Sequence, residues 1–285
     1  PTADLTHGSA QDAAYCLFSL PNIGRVRLNG NVRGRLAEVK TGSARARVQC
    51  HKTKGGEKMA KRENVLERLI GKTKRPEGEL EAIDRRLHEN TARCFDEVLS
   101  LLLDSTGEYT KALLGGGRGS MKSSTASLGI SAGLEHDEDA CALVLRKVGD
   151  TLRGSVFEQM QWAIDVLGLG DHWRVTVSPM EIVNERTGQK IVFKGLDKSK
   201  KIKSIKLPFG KYFKYVWFEE LDEFAGEGEI ENVLDSAIRG GKAALCVCTY
   251  NPPKSANNWV NKWAIDPGKS VFVHHSDYTM VPAAW

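Results

Sequence analysis

Beyond residue 58 the apolar positions follow two patterns that alternate along the chain. Val65, Leu66, Leu69 and Ile70 share one helical face, which ends near Gly71 and Pro76. Ile83, Leu87, Cys94, Val98 and Leu102 follow at spacings of three and four or their sums, which predicts a longer amphipathic helix that stops before Gly107. Continuous apolar runs then take over. Residues 140–146, 212–218 and 243–248 are each short and, Arg146 and Lys214 aside, continuously apolar, the pattern of strands buried on both faces of a parallel sheet. Between them, helices are predicted over 151–167, through Leu152, Val156, Met160, Ala163 and Ile164 and closed by Gly168 and Gly170, and over 231–239. Residues 173–177, 181–184, 190–193 and 270–275 read as further strands, the second and third joined by a hairpin across Arg186-Thr187-Gly188. Strands alternating with helices predict an α/β fold, a doubly wound and mainly parallel sheet.

Residues 1–58 lack a sustained period of either kind. They also carry ten Lys and Arg against four Asp and Glu, whereas the whole 285-residue chain carries 41 against 36. The net charge of +5 therefore belongs to this leader, and residues 59–285 hold 31 of the basic and 32 of the acidic groups. The run Lys54-Gly55-Gly56-Glu57-Lys58-Met59 can be encoded as AAA GGA GGT GAA AAA ATG, a purine-rich ribosome-binding sequence before a start codon. The expectation is that translation begins at Met59 and that 1–58 is a non-native extension; a basic disordered arm is the alternative. The expected organisation is a leader over 1–58, a helical segment over 59–106 that packs on the following domain or meets a partner, and a domain over 107–280. Residues 281–285 would begin a truncated linker or further domain.

Candidate chemistry concentrates at residues 110–124. An apolar segment enters Gly116-Gly117-Arg118-Gly119-Ser120-Met121-Lys122-Ser123-Ser124, and a helix is predicted from Ser124 to Leu134. That is the strand–loop–helix layout of a P-loop. Glycines let successive backbone N–H groups point at phosphates, the helix N-terminus adds its positive end, Lys122 supplies a mobile cation, and the Ser123 hydroxyl suits Mg²⁺. The glycine expected before the lysine is Met121, whose side chain would crowd the phosphates. With 28 glycines in the chain, an ordinary tight turn is the competing explanation. Two further strand ends favour function. Val216-Trp217-Phe218 runs into Glu219-Glu220, a carboxylate for the metal followed by one for the attacking water, and 243–248 runs into Thr249-Tyr250-Asn251, polar groups where a γ-phosphate sensor would sit.

The other polar clusters are less specific. Six cysteines and seven histidines show no metal-ligand spacing; Cys246 and Cys248 fall on one strand face as buried free thiols, which suits a reducing, cytoplasmic setting. No apolar run approaches the ~20 residues of a membrane span. The loop 194–214 is rich in lysine, including Lys200, Lys201 and Lys203, and is either a solvated surface or a grip on phosphate backbone.

Taken in order, the loop at 116–123, Leu145-Arg146-Lys147-Val148-Gly149-Asp150-Thr151-Leu152-Arg153, Gly188-Gln189-Lys190-Ile191-Val192-Phe193-Lys194-Gly195-Leu196-Asp197, Ile202-Lys203-Ser204-Ile205, Val216-Trp217-Phe218-Glu219-Glu220 and Thr249-Tyr250-Asn251-Pro252 resemble the ATPase domain of large terminase subunits of tailed bacteriophages, in particular the PBSX-type family. The resemblance covers about residue 108 to the end. It implies a RecA-like P-loop NTPase that hydrolyses ATP with Mg²⁺ to package double-stranded DNA into procapsids in the host cytoplasm. Implied partners are DNA, the small terminase subunit, the portal protein and further copies in a ring, and no membrane. Gly116, Gly117, Gly119, Ser120, Met121, Lys122, Ser123 and Ser124 would bind nucleotide, and Ser123 and Glu219 the metal. Glu220 would activate water, and Thr249 and Asn251 would couple hydrolysis to movement. Arg118, a bulky cation among small loop residues, is the candidate to neutralise the γ-phosphate, with Arg146 and Arg153 as substitutes. The family carries a nuclease domain after the ATPase; no suitable carboxylates follow Asp277, so no nuclease activity is expected from this chain. The alternatives are a non-hydrolysing DNA-binding or assembly fragment and another P-loop ATPase such as a helicase.

Overall fold

The computed structural model describes residues 78–104, 107–197, 205–238 and 242–282, together with four short strands within 17–49. The chain divides into two compact units, Pro1–Lys74 and Arg75–Trp285. In the first, β1 (Leu17–Leu20) pairs antiparallel with β2 (Gly24–Arg27), and β3 (Leu36–Thr41) with β4 (Ala44–Gln49). A leader without strands was expected here. The signal overlooked is short: Ala44, Ala46 and Val48 alternate with Arg45, Arg47 and Gln49, a period of two over six residues. The helix expected around 65–70 lies outside the described residues.

The second unit holds α1 (Glu79–Glu89), α2 (Asp96–Leu103), β5 (Lys111–Gly116), α3 (Lys122–His136), β6 (Ala140–Arg146), α4 (Glu158–Val166), β7 (Trp173–Thr176), β8 (Glu181–Asn184), β9 (Lys190–Gly195), β10 (Tyr212–Glu219), α5 (Glu227–Ala237), β11 (Leu245–Tyr250), α6 (Trp259–Ile265) and β12 (Val271–Ser276). Its eight-stranded sheet runs β12-β5-β11-β10-β6-β9-β8-β7. All pairs from β12 to β9 are parallel, and β9-β8-β7 close the edge antiparallel. The doubly wound, mainly parallel sheet expected from the sequence is therefore present, with β6, β10 and β11 as neighbouring parallel strands.

Alternate residues of the central strands feed two cores. Leu114, Val144, Tyr215, Trp217 and Val247 face α1 to α4, while Leu143, Val216, Phe218, Cys246 and Cys248 face α5 and α6. The thiols of Cys246 and Cys248 meet at 3.6 Å inside this second core, on one strand face as the spacing predicts. Buried on both sides, the strands need no alternation, which is why they read as continuous apolar runs.

Two predicted helices are shorter than their periodicity suggests. The run from Ile83 to Leu102 is split: α1 ends at Asn90, whose side chain bonds Arg86 O at 2.8 Å, and a 3₁₀ turn at Arg93–Phe95 precedes α2. The break rotates the register, so Ala92 and Phe95 are buried and Cys94 is only partly so. The run 151–167 is broken at Gly154 and Ser155, which leave helical geometry, and only α4 is regular. Conversely, α5 begins four residues earlier than expected, at Glu227, and Glu229 reaches back to accept the N–H of Ala225, just before the helix, at 2.8 Å.

Helix α3 lies between the sheet and the helices α1, α2 and α4, and almost every residue in it is buried. Small residues allow this. Gly129 faces Leu102, and Gly133 faces Tyr215, whose hydroxyl donates to Leu102 O at 2.6 Å. A methyl at Gly133 would lie 2.8 Å from Tyr215 Cζ and 3.1 Å from Leu102 O. Gly133→Ala should therefore destabilise the protein by about 1–3 kcal/mol through overpacking, outweighing the ~1 kcal/mol of helix propensity gained. A lower urea midpoint with unchanged m-value is expected, partly restored by adding Tyr215→Phe; a midpoint equal to the parent would contradict this packing.

Candidate nucleotide-binding site

The loop from β5 to α3 meets the C-terminal ends of β10, β11 and β12 at one edge of the sheet. Register places them: Glu219 lies beside Thr249, and Tyr250 beside Gly115. Within the loop Gly117, Arg118 and Gly119 are exposed, whereas Ser120, Met121 and Lys122 turn inward. Gly119 has φ +74°, a conformation in which a side chain would be strained. Met121 takes the same left-handed region, φ 62° and ψ 0°, immediately before the first turn of α3. Its side chain is 5% exposed and belongs to the apolar core. The expected crowding of the phosphates by Met121 is thus absent: the backbone adopts what glycine would adopt, and the side chain points into the protein.

Six site residues read from the sequence are joined by hydrogen bonds, in two groups. Lys122 Nζ donates to Asn251 Oδ1 at 2.9 Å and to Gly117 O at 3.3 Å. Ser123 Oγ donates to Glu219 Oε1 at 2.8 Å, and Thr249 Oγ1 donates to the other oxygen of the same carboxylate. Trp217, fully buried, donates its indole N–H to Thr249 Oγ1 at 2.7 Å, which orients that hydroxyl toward Glu219. Desolvation pushes the Glu219 carboxyl above its ordinary range, an effect opposed by the bonds from Thr249 and Ser123 and by the charges of Lys122 and Arg146. Burial likewise lowers Lys122, opposed by Glu219 and Asp222.

Glu220 departs from the strand. At φ 56° and ψ 57° it turns away from Glu219 and pairs with Arg146, 7% exposed at the end of β6, whose guanidinium also lies 3.8 Å from Glu223. Arg146 is thus engaged by carboxylates. Arg118 and Arg153 are exposed, and Ser124 is half-buried with its carbonyl accepting from Ser127 Oγ at 2.9 Å. Lys200, Lys201 and Lys203 lie outside the described residues. Beside Ser123 and Glu219 opens a cleft of about 480 Å³ whose other wall includes Ser155, Gln159 and Trp162, so the broken start of α4 faces the site. A cavity of about 520 Å³ at the opposite ends of the strands, between Tyr109, Lys214 and Phe272, contains none of these residues.

Sequence reasoning missed three neighbours. Asp222 Oδ1 is buried without a partner among the described residues, and desolvation raises its carboxyl; the cluster Glu219-Glu220-Leu221-Asp222 carried the signal. Trp217 appeared only as an apolar strand residue. Ser276, at the end of β12 next to Gly116, carried no signal at all.

Residues 109–282 match the family model described as phage terminase large subunit. The chain is 37% identical over 205 residues to the terminase large subunit of Bacillus phage SPP1, an alignment covering 69% of this chain and 47% of that protein. It is 35% identical over 167 residues to the PBSX phage terminase large subunit of Bacillus subtilis (strain 168), covering 58% of this chain and 36% of that one. The chain thus spans less than half the length of these curated relatives. Among solved structures, the large terminase of a thermophilic bacteriophage superposes with a TM-score of 0.52 at 12% identity, over 66% of this chain and 46% of that chain. The same protein in complex with ADP gives 0.51 at 12%, over 68% and 48%. At such identity the likeness is one of fold.

Two opposing effects meet at Met121. Replacing it with glycine relieves a left-handed backbone worth about 1–2 kcal/mol but removes a buried side chain worth about 2–5 kcal/mol. Met121→Gly should therefore lower the thermal midpoint. A midpoint equal to or above that of the parent would show that this side chain is not packed in the core.

Proposed function

The chain belongs to the phage terminase large subunit family, and on that premise we propose that residues from about 107 to 280 form an ATP-hydrolysing motor that drives double-stranded DNA into procapsids. The observation that carries this reading is the linkage of three strand ends: Lys122 to Asn251, and Ser123 through Glu219 and Thr249 to Trp217. A loop that binds phosphates is thereby wired to the end of β11, where a mechanical response can begin. A large terminase of similar fold has been solved in complex with ADP, which supports a nucleotide as ligand.

The donors present suit Mg²⁺. Ser123 Oγ and Glu219 Oε1 are hard oxygens 2.8 Å apart, and the desolvated carboxylate favours a cation beside it. Waters and phosphate oxygens would complete the shell of an ion held by so few protein groups. When bound, Mg²⁺ would neutralise charge on the β- and γ-phosphate oxygens.

The chain's own groups divide the remaining work. Lys122 exchanges Asn251 for phosphate oxygens, so that loading the loop frees the end of β11. Glu220 takes the proton of the attacking water after leaving Arg146, and Arg118, exposed on the loop rim, reaches the γ-phosphate from its own or a neighbouring subunit. Lys200, Lys201 and Lys203 contact DNA backbone. Family membership supports the small terminase subunit, the portal and further copies in a ring as partners, in the host cytoplasm. No helix among the described residues is long and apolar enough to cross a membrane. The non-hydrolysing alternative rests on Met121 and on truncation, and the burial of the Met121 side chain weakens the first of these grounds.

ATP turnover measured with and without double-stranded DNA tests the motor; absence of turnover in both would reject it. Lys122→Ala should reduce both affinity and turnover. Arg118→Ala should reduce kcat by ~10³ or more with a smaller effect on nucleotide affinity. Turnover within about threefold of the parent would remove Arg118 from the chemistry.

A further inference from the structure

Beyond β12 the chain runs alongside the phosphate loop. Ser276 pairs with Gly116 in the sheet, and its carbonyl and hydroxyl oxygens occupy the space where a Gly116 Cβ would project, together with Ser120 Oγ. Both hydroxyls are buried and without partners among the described residues. Two residues further on, Tyr278 borders the exposed rim of the loop: a Cβ on Gly119 would stand 4.0 Å from Tyr278 Cβ. The segment 276–278 therefore follows the loop from Gly116 to Gly119.

Tyr278 is held in place yet covered by little. It begins a 3₁₀ turn, Tyr278–Met280, in which Asp277 Oδ1 accepts the Thr279 N–H at 2.7 Å and the Thr279 hydroxyl at 2.5 Å. The carbonyl of Met280 lies 3.9 Å from Cys94 Sγ, which ties the turn to the segment before α2. Even so, Tyr278 is 73% exposed, and its ring has no aromatic neighbour among the described residues. A large aromatic fixed by its backbone beside a phosphate loop has little packing role and a free π-face.

We propose that Tyr278 stacks on the purine base of the nucleoside triphosphate whose phosphates lie on residues 116–123. The proposal rests on the nucleotide reading of that loop. With phosphates against Lys122 and Ser123, the exposed rim at Gly117 to Gly119 gives the ribose and base a way out that the buried Ser120 and Met121 do not. Tyr278 lines that exit. A ring already positioned by its turn loses little freedom on stacking, and stacking needs only a π-face on the base.

Isothermal titration of the full chain with ATPγS and with inorganic tripolyphosphate separates the base from the phosphates. Tyr278→Ala should weaken ATPγS about tenfold and leave tripolyphosphate unchanged, while Tyr278→Trp should bind both as the parent does. Lys122→Ala should weaken both. The exposure of Tyr278 predicts an unchanged thermal midpoint for Tyr278→Ala, which guards against misfolding. If Tyr278→Ala binds ATPγS like the parent, or weakens both ligands equally, the stacking role is overturned while the nucleotide reading stands. If the parent binds neither ligand, the nucleotide reading itself fails.

Discussion

The site is organised by the cost of holding a carboxylate at the end of a buried strand. Glu219 follows six buried residues of β10, and its carboxyl, raised above the ordinary range by desolvation, has lost most of its water. It is met instead by hydroxyls from Ser123 and Thr249 and by the charges of Lys122 and Arg146, which come from α3, β11 and β6. Those groups converge only if β10 lies between β6 and β11 in the observed register and β5 lies next to β11. The chemistry of one oxygen pair thus fixes the strand order at the centre of the sheet.

The same logic explains the burial of α3. The loop after β5 starts its helix at the sheet edge, so the helix runs down across the sheet and is covered on its outer side by α1, α2 and α4. Gly129 and Gly133 make the room, and Glu135, wholly buried near its far end, is met by Trp173, Asn184 and Arg186. The antiparallel edge strands β7 and β8 thereby become an anchor for the helix rather than a decoration of the sheet. Loop geometry and edge hairpin are connected through one rigid element.

What could be read in advance follows from how local each signal is. The strands at 140–146, 212–218 and 243–248 announce themselves because burial on both faces leaves almost only apolar residues, with Arg146 and Lys214 the exceptions. The loop announces itself because phosphate approach demands glycine. Helix interruptions were hidden: nothing in the spacing of Ile83, Leu87 and Cys94 shows that Asn90 bonds back to Arg86 and shifts the frame. The contribution of Met121 was misjudged for a related reason. A non-glycine residue at positive φ reads as an obstruction in sequence, but the direction of its side chain depends on the core formed by distant segments. Ser276 and Asp222 gain their place at the site from Gly116 and Lys122, both distant in the chain.

Glu219 and Glu220 show how far adjacency in sequence can mislead about geometry. In a continuing strand they would point to opposite faces and share one environment of charge. The left-handed turn at Glu220, costing about 1–2 kcal/mol in a residue with a side chain, ends the strand and sends the second carboxylate to Arg146. Such a conformation persists only where the surroundings over-determine it. Here they do so from both sides: Leu221 is buried immediately after the turn, and Arg146 is itself enclosed, with Glu223 as its second partner. Two identical side chains in succession therefore occupy different electrostatic settings, one desolvated among hydroxyls and one neutralised by a guanidinium.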